Sequence, residues 1–395
     1  MSSASIPPSA FTLAPDHVLH RVQRGGLVVG VSALGLCALG AVGSPDQFFR
    51  SYLVAYLFWF GISLGSMAIL MIHHIAGGAW GAVIRRLLEC STRTLPLMAL
   101  LFLPLVLGLH SLYEWARPEV VAHDVVLQHK SMYLNVPFFL ARAVFYFAVW
   151  LTFTVFLNRW SLQQDSSDDP RLTRRMELLS RGGLLAIGLT MTFASIDWVM
   201  SLEPHWYSTI YGILIMGGQV LSALAFVIPM AALLVDRGPL ADVIHTEQFH
   251  DLGKLLLAFV MLWAYFSFSQ FLIIWSANLP EEIPWYLNRM RGGWQVIGVA
   301  IIVFHFVLPF LILLSRDVKR RANVLALVAL GVMAVRFVDL FWMVTPAFNP
   351  GRITMHWMDA ATLVGVGGIW LSVFIWQLKG RSLVAIHDPS LPEHV

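Results

Sequence analysis

The chain has 395 residues, of which 58% are apolar and only 12% charged, and its mean hydropathy is +0.72. A soluble domain carries about 25% charged residues, so this composition excludes a soluble enzyme and indicates an integral membrane protein. Two cysteines, Cys37 and Cys90, rule out a disulfide framework, a cysteine-ligated iron–sulfur cluster and a CxxCH haem site, and the net charge of +3 is informative only through its distribution.

Residues 1–20 contain Ser, Pro, Asp16 and His17, and the first apolar run spans about 20 residues, too long for a typical signal-peptide core. An uncleaved first span is therefore expected. Ten segments are long and apolar enough to cross a bilayer: approximately 22–43, 48–76, 94–115, 134–158, 182–203, 209–235, 252–277, 293–315, 322–345 and 357–378. None alternates with the period of a membrane barrel strand. The expected fold is one all-α integral membrane domain over residues 1–395, with ten transmembrane helices.

Eighteen lysines and arginines fall in the N-terminal tail, in the loops after helices two, four, six and eight, and in the C-terminal tail. Six fall in the remaining loops, and Arg142 and Arg336 lie inside helices. This bias places both termini in the cytoplasm. The longest loop, about 159–181 with "QQDSSDDPRLTRR", reads as a solvated charged connector.

Ionisable residues at membrane depth are costly, and they usually face a bundle interior or a cavity. In chain order, His73 and His74 end helix two on the inner side. His110 and Glu114 end helix three on the outer side, where Arg142 of helix four and Asp197 of helix five also lie. His250, Asp251 and Lys254 open helix seven at the inner side, and His305 of helix eight is near the middle. Arg336 and Asp339 of helix nine, with His356 and Asp359 of helix ten, return to the outer depth.

Each has a plain structural reading. Arg336 and Asp339 are three apart and can neutralise each other. Glu114 and Glu203 sit near helix ends and reach water, His73 and His74 are interfacial, Lys254 snorkels, and His305 packs. Against this stands the convergence of outer groups from several helices, with Arg142, Asp197 and Arg336 a turn or more inside. Asp197 also precedes Pro204 by seven residues, as Asp339 precedes Pro346, with Trp198 and Trp342 alongside. The recurrence hints at two related four-helix units, helices two to five and six to nine.

Three chemistries compete with a purely structural anchor. A haem b carrier needs facing histidines at matched depth, and the within-helix histidines here lie at three depths. A secondary transporter is compatible with Pro96, Pro104, Pro229 and Pro309 inside spans, although the repeat is parallel and the polar cluster is off the midplane. A quinone site needs a hydrogen-bond partner for each oxygen, a proton acceptor and an aromatic cleft. The outer cluster supplies these beside Trp198, Trp206, Tyr207, Phe341 and Trp342, which also suit an interfacial belt.

"SIDWVMSLEPHWYSTIYG" together with "RFVDLFWMVTPAF", on a ten-helix chain, resembles the polysulfide-reductase membrane-subunit family, also called NrfD-like or PsrC-like. Within it the chain is most similar to the ActF type of subunit in bacterial alternative complex III. The resemblance implies two four-helix bundles flanked by helices one and ten, and a subunit without its own redox cofactor. It implies a complex in the bacterial cytoplasmic membrane that oxidises menaquinol or ubiquinol. Electrons would pass through an iron–sulfur subunit and multihaem and monohaem cytochrome c subunits, beside an ActC-like membrane subunit and a terminal oxidase. It further implies a proton-conducting role, and the depth map of the ionisable residues suits one, with an inner half of the path through His73, His74, His250, Asp251 and Lys254. The outer half, for proton exit or quinone, would use His110, Glu114, Arg142, Asp197, Arg336, Asp339 and Asp359, with His305 as central relay.

Overall fold

Ten apolar runs become ten long helices. The computed structural model describes residues 11–391 except positions 168, 237, 239, 242 and 386; the start of the chain, residues 1–10, lies outside the described residues. The spanning helices are α1 (Val18–Ala41), α2 (Pro45–Ala76), α3 (Arg85–Leu107), α4 (Val136–Gln164), α5 (Pro170–Leu202), α6 (Tyr211–Asp236), α7 (Thr246–Ala277), α8 (Trp294–Leu314), α9 (Ala322–Ala347) and α10 (Trp357–Leu378). Among the described residues every regular element is helical.

Local chemistry starts these helices where the chain supplies caps. Pro45 occupies the first turn of α2, where its missing N–H costs nothing, and Asp46 beside it complements the helix dipole. Asn135 caps α4 by accepting from the Phe138 N–H, and Asp169 caps α5 by accepting from the Arg171 N–H. α10 opens with a capping box in which the His356 N–H donates to Asp359.

α2 and α6 form the middle of the molecule. Their apolar windows are 89% and 83% buried inside the protein, against 11% for α1. α2 packs on α3, α5, α6 and α10, while α6 packs on α2, α5, α7 and α9. The α2–α6 crossing is close because Gly65 lies against the Gln219 backbone; a Cβ there would overlap the carbonyl. α1 lies along α10, where Gly30 meets the backbone of Gly365 and Ile369.

Two expectations are corrected. The third span begins at Arg85 rather than near residue 94, and its regular helix ends at Leu107. The apolar window missed Arg85, Arg86 and Glu89 because they are charged, but they neutralise one another and are buried. The segment 159–181 is not a loop. α4 runs on to Gln164 and α5 starts at Pro170, which leaves five residues between them. Its charges pair along the helix instead, Glu177 with Arg174 at 2.9 Å and with Arg181 one turn on.

Candidate functional site

The two Asp–Pro segments close in the same way and differ in what surrounds the acid. α5 and α9 each end in a 3-10 turn, Met200–Leu202 and Thr345–Ala347. Asp197 is wholly buried. Arg142 of α4 grips it in a fork, Nε to Oδ2 at 2.8 Å and Nη2 to Oδ1 at 2.9 Å, and the Tyr146 hydroxyl donates to Oδ2 at 2.8 Å. The third arm of Arg142 donates to the Tyr133 carbonyl, and its guanidinium lies 3.8 Å from the Tyr133 ring centroid and 4.3 Å from that of Phe138. Burial and the nearby Asp197 charge push the Tyr133 hydroxyl up to about 12. Trp198, next in sequence, is locked among Phe60, Phe102, Phe147 and Trp150.

Asp339 pairs with Arg336 on its own helix, as the spacing predicts. The Trp263 Nε1–H of α7 donates to the same oxygen, Oδ2, at 3.0 Å. Both protein donors therefore meet Oδ2, which leaves Oδ1 as the open acceptor. Arg336 can lie there because Gly218 of α6 has no side chain; a Cβ would collide with the guanidinium.

Asp339 also lines a cavity of about 830 Å³ between α7, α8, α9 and the short helix Pro284–Arg289. The walls are aromatic, with Trp263, Phe271, Trp285, Tyr286 and Trp342, and amides enter from Gln270 and Gln295. This volume falls in the range of small-molecule sites, about 300–1,000 Å³, and a few polar groups in an apolar wall are what fix a ligand's orientation. Beside it, α8 contains a π-helical stretch, Ile302–Val307, which carries His305. Such bulges recur at functional sites because they re-aim one side chain. The His305 ring meets Trp263 edge to face at 4.4 Å, is fully buried, and neither ring nitrogen has a hydrogen-bond partner.

Glu203, expected to be wet, is ion-paired. Arg289, fully buried, donates to Glu203 Oε2 at 2.8 Å and to the carbonyls of Trp285, Trp342 and Met343. Its guanidinium sits 3.7 Å from the Trp285 ring centroid. Trp206 stacks on Trp285 at 5.1 Å and is buried, so only Tyr207 of that aromatic pair is exposed. No sequence signal marks Arg289, because its partner lies 86 positions away.

The remaining outer residues do not join a common site. His110 lies in a short helix, Leu109–Leu112, and Glu114 in the 3-10 turn after it; both are exposed. Asp359 works as a helix cap and as a tie to α2, accepting from Ser51 Oγ at 2.5 Å and Gln47 Nε2 at 3.3 Å. Of the residues expected on the inner side, His73 bonds Asp388 of the C-terminal segment at 3.3 Å and His74 bonds Ser180 at 3.1 Å. Asp251 pairs with Lys254 at the exposed start of α7, with His250 one residue before. The expected inner cluster thus divides between two sets of partners.

The end of the molecule that holds His73 also carries a network that the sequence did not announce. Arg85 donates to Glu89 at 2.9 Å, to Asp388 at 2.7 Å and to Ser161 at 2.8 Å, while Arg86 pairs with Glu89 and Asp165. Burial pushes the Asp388 carboxyl up, but the His73 hydrogen bond and the Arg85 guanidinium outweigh it and hold the group well below the usual carboxylate range. "RRLLE" carried a legible signal, since the arginines stand three and four positions before the acid. Comparison with known protein-family models and with curated proteins finds no match to this chain.

Proposed function

We propose that this chain is a cofactor-free, NrfD-like membrane subunit of a quinol-oxidising respiratory complex, of the ActF type found in alternative complex III. Its place is then the bacterial cytoplasmic membrane, with both termini inside. Iron–sulfur and cytochrome c partners carry the electrons onward, beside an ActC-like membrane subunit. The packing of α2 on α3 and α5, and of α6 on α7 and α9, is what two four-helix bundles meeting at α2 and α6 require. The recurring Asp–Pro turns at the ends of α5 and α9 support the same reading.

The observation that carries a quinol role is Asp339 lining the aromatic cavity between α7, α8 and α9. A quinol ring fits between aromatic walls, its hydroxyl donating to the open Oδ1 of Asp339, with Gln270 or Gln295 meeting the far oxygen. Asp339 takes the proton, and Arg336 and Trp263 fix the carboxylate's position. His305, with both nitrogens unpartnered next to Trp263, is the group placed to relay a proton deeper into the protein. A route drawn from the cytoplasm must choose between the His73–Asp388 side and the His250–Asp251–Lys254 side, which have separate partners.

The Arg142–Asp197 half favours a second role, that of an anchor. Its acid is closed by two donors, Arg142 and Tyr146, and takes no part in the cavity of α7–α9. The test of the quinol role is photolabelling of the intact complex with an azido-quinone, with the cross-linked peptides mapped. Label on α7, α8 or α9, lost in Asp339→Asn, is expected. Label confined to another subunit, with unchanged turnover in Asp339→Asn, would overturn it.

A further inference from the structure

A second groove lies at the opposite end of the molecule, where the charge bias places the cytoplasm. It holds about 580 Å³ and is formed by Arg93 and Pro96 midway along α3, the last turns of α4 and the end of α10. We infer that it binds one anionic phospholipid of the inner leaflet, with the lipid phosphate between Arg93 and Arg159.

Two cations line this groove and no acid does. Arg93 donates through Nε to Asn158 Oδ1 at 2.6 Å, which fixes its guanidinium against α4, while its buried Nη1 has no hydrogen-bond partner. Arg159 is exposed, and neither arginine is ion-paired among the described residues. Arg85 and Arg86, about two turns before Arg93 in α3, are each bound to acids. Within one stretch of α3 the arginines thus divide: Arg85 and Arg86 are neutralised by acids, and Arg93 reaches the groove without one. A guanidinium with free N–H groups matches a phosphate oxygen in charge and geometry.

The rest of the groove combines apolar and polar surface, as a lipid does. Val155, Arg159 and Leu162 fall at helical spacing on one side of α4, and Ser166 lies in the turn just beyond it. Along that side the apolar Val155 and Leu162 bracket the cation, and the Ser166 hydroxyl follows. The helical stretch from Val155 to Gln163 rises about 12 Å, enough for a phosphate, a glycerol and the first methylenes of an acyl chain. A free phosphate would satisfy the arginines and leave Val155, 59% exposed, and Leu162, 39% exposed, uncovered. A phospholipid covers both. Basic pockets between helix ends on the cytoplasmic side are suited to anionic headgroups, because that leaflet concentrates them. The inference rests on the membrane setting and the groove alone, so it stands or falls independently of the quinol reading.

The test is native mass spectrometry of the detergent-purified full chain after delipidation, titrated separately with phosphatidylglycerol, cardiolipin, phosphatidylcholine and inorganic phosphate. One anionic lipid retained per chain, with at least tenfold preference over phosphatidylcholine, is expected. The double variant Arg93→Gln/Arg159→Gln should lose that preference, while Arg171→Gln/Arg175→Gln, at exposed positions on α5, should keep it. Because Arg93 also ties α3 to α4, Leu162→Trp serves as a second variant that fills the groove without changing charge, and it too should lower retention. Equal retention of phosphatidylcholine, phosphate competing as well as lipid, or undiminished binding in both the double variant and Leu162→Trp would overturn the inference. So would an acidic segment of a partner subunit found filling the groove in the assembled complex.

Discussion

The pair Arg142–Asp197 separates a structural charge from a working one, and removing its two partners in turn measures which it is. Removing one partner of a buried ion pair costs about 3–5 kcal/mol, because the other is left charged and unpaired. Arg142→Gln falls at the upper end of that range: it strands a carboxylate with no exposure at all, with only the Tyr146 hydroxyl remaining. Asp197→Asn falls at the lower end, since Arg142 keeps the Tyr133 carbonyl, two ring faces and a little solvent. The folded-to-unfolded ratio should drop from about a hundredfold to a few thousandfold across the two variants. Replacing both groups, as Arg142→Met/Asp197→Leu, removes the desolvation cost along with the attraction and should restore most of the loss. The assay is a denaturant titration of the detergent-solubilised chain, read beside turnover of the assembled complex. A double variant as stable as wild type but without turnover would refute the structural assignment and make Asp197 a proton carrier. A larger loss for Asp197→Asn than for Arg142→Gln would refute the reasoning about which charge is stranded.

Three further outcomes are expected. Asp339→Asn should assemble normally and lose at least tenfold in quinol turnover, as measured by acceptor reduction, because it removes the proton acceptor and keeps the side-chain volume. Asp388→Asn should free the C-terminal segment, seen as faster hydrogen exchange over 379–391; in the native chain that segment should stay protected across pH 5–8. The sign follows from the depressed carboxyl: its stabilisation is complete above the unfolded value, near 4, and is lost only as pH falls through the lower folded value. Gly65→Val should destabilise the fold by about 1–3 kcal/mol or more, through the clash with the Gln219 backbone at the α2–α6 crossing, in the same denaturant titration.

Helix number was legible because a bilayer demands long uninterrupted apolar runs, and that demand is written in composition. Helix ends were less legible, since a charge reads as solvent until its partner is known. Arg85, Arg86 and Glu89 looked like a loop and are buried helix. Their partner spacing was local, so the information was present. The Arg336–Asp339 pair was legible for the same reason. Arg142 as the partner of Asp197 was not written in any local spacing, since the two stand 55 positions apart and meet only through the packing of α4 on α5. Arg289 with Glu203, and His73 with Asp388, join positions far apart in the chain, and no local pattern announces either. The cavity beside Asp339 was invisible for a different reason: it is formed by the packing of α7, α8, α9 and the short helix Pro284–Arg289, not by any one residue.

The two Asp–Pro turns then become informative through their difference. Both place an acid two turns before a proline at the end of a long helix, and both neutralise it with arginine. In the first, the arginine comes from a neighbouring helix, so both carboxylate oxygens are engaged and α4 and α5 are fastened together. In the second, the arginine stands on the same helix three residues away and reaches one oxygen, which Trp263 shares. Intrahelical pairing leaves Asp339 Oδ1 open toward the cavity between α7, α8 and α9, while α9 is tied to α8 elsewhere, through the Trp342 Nε1–H bond to the Trp294 carbonyl at 3.1 Å. The choice of partner helix therefore decides whether the acid is fully engaged or keeps one oxygen open. Moving the arginine from position 336 onto a facing helix would be expected to close the second half as the first is closed.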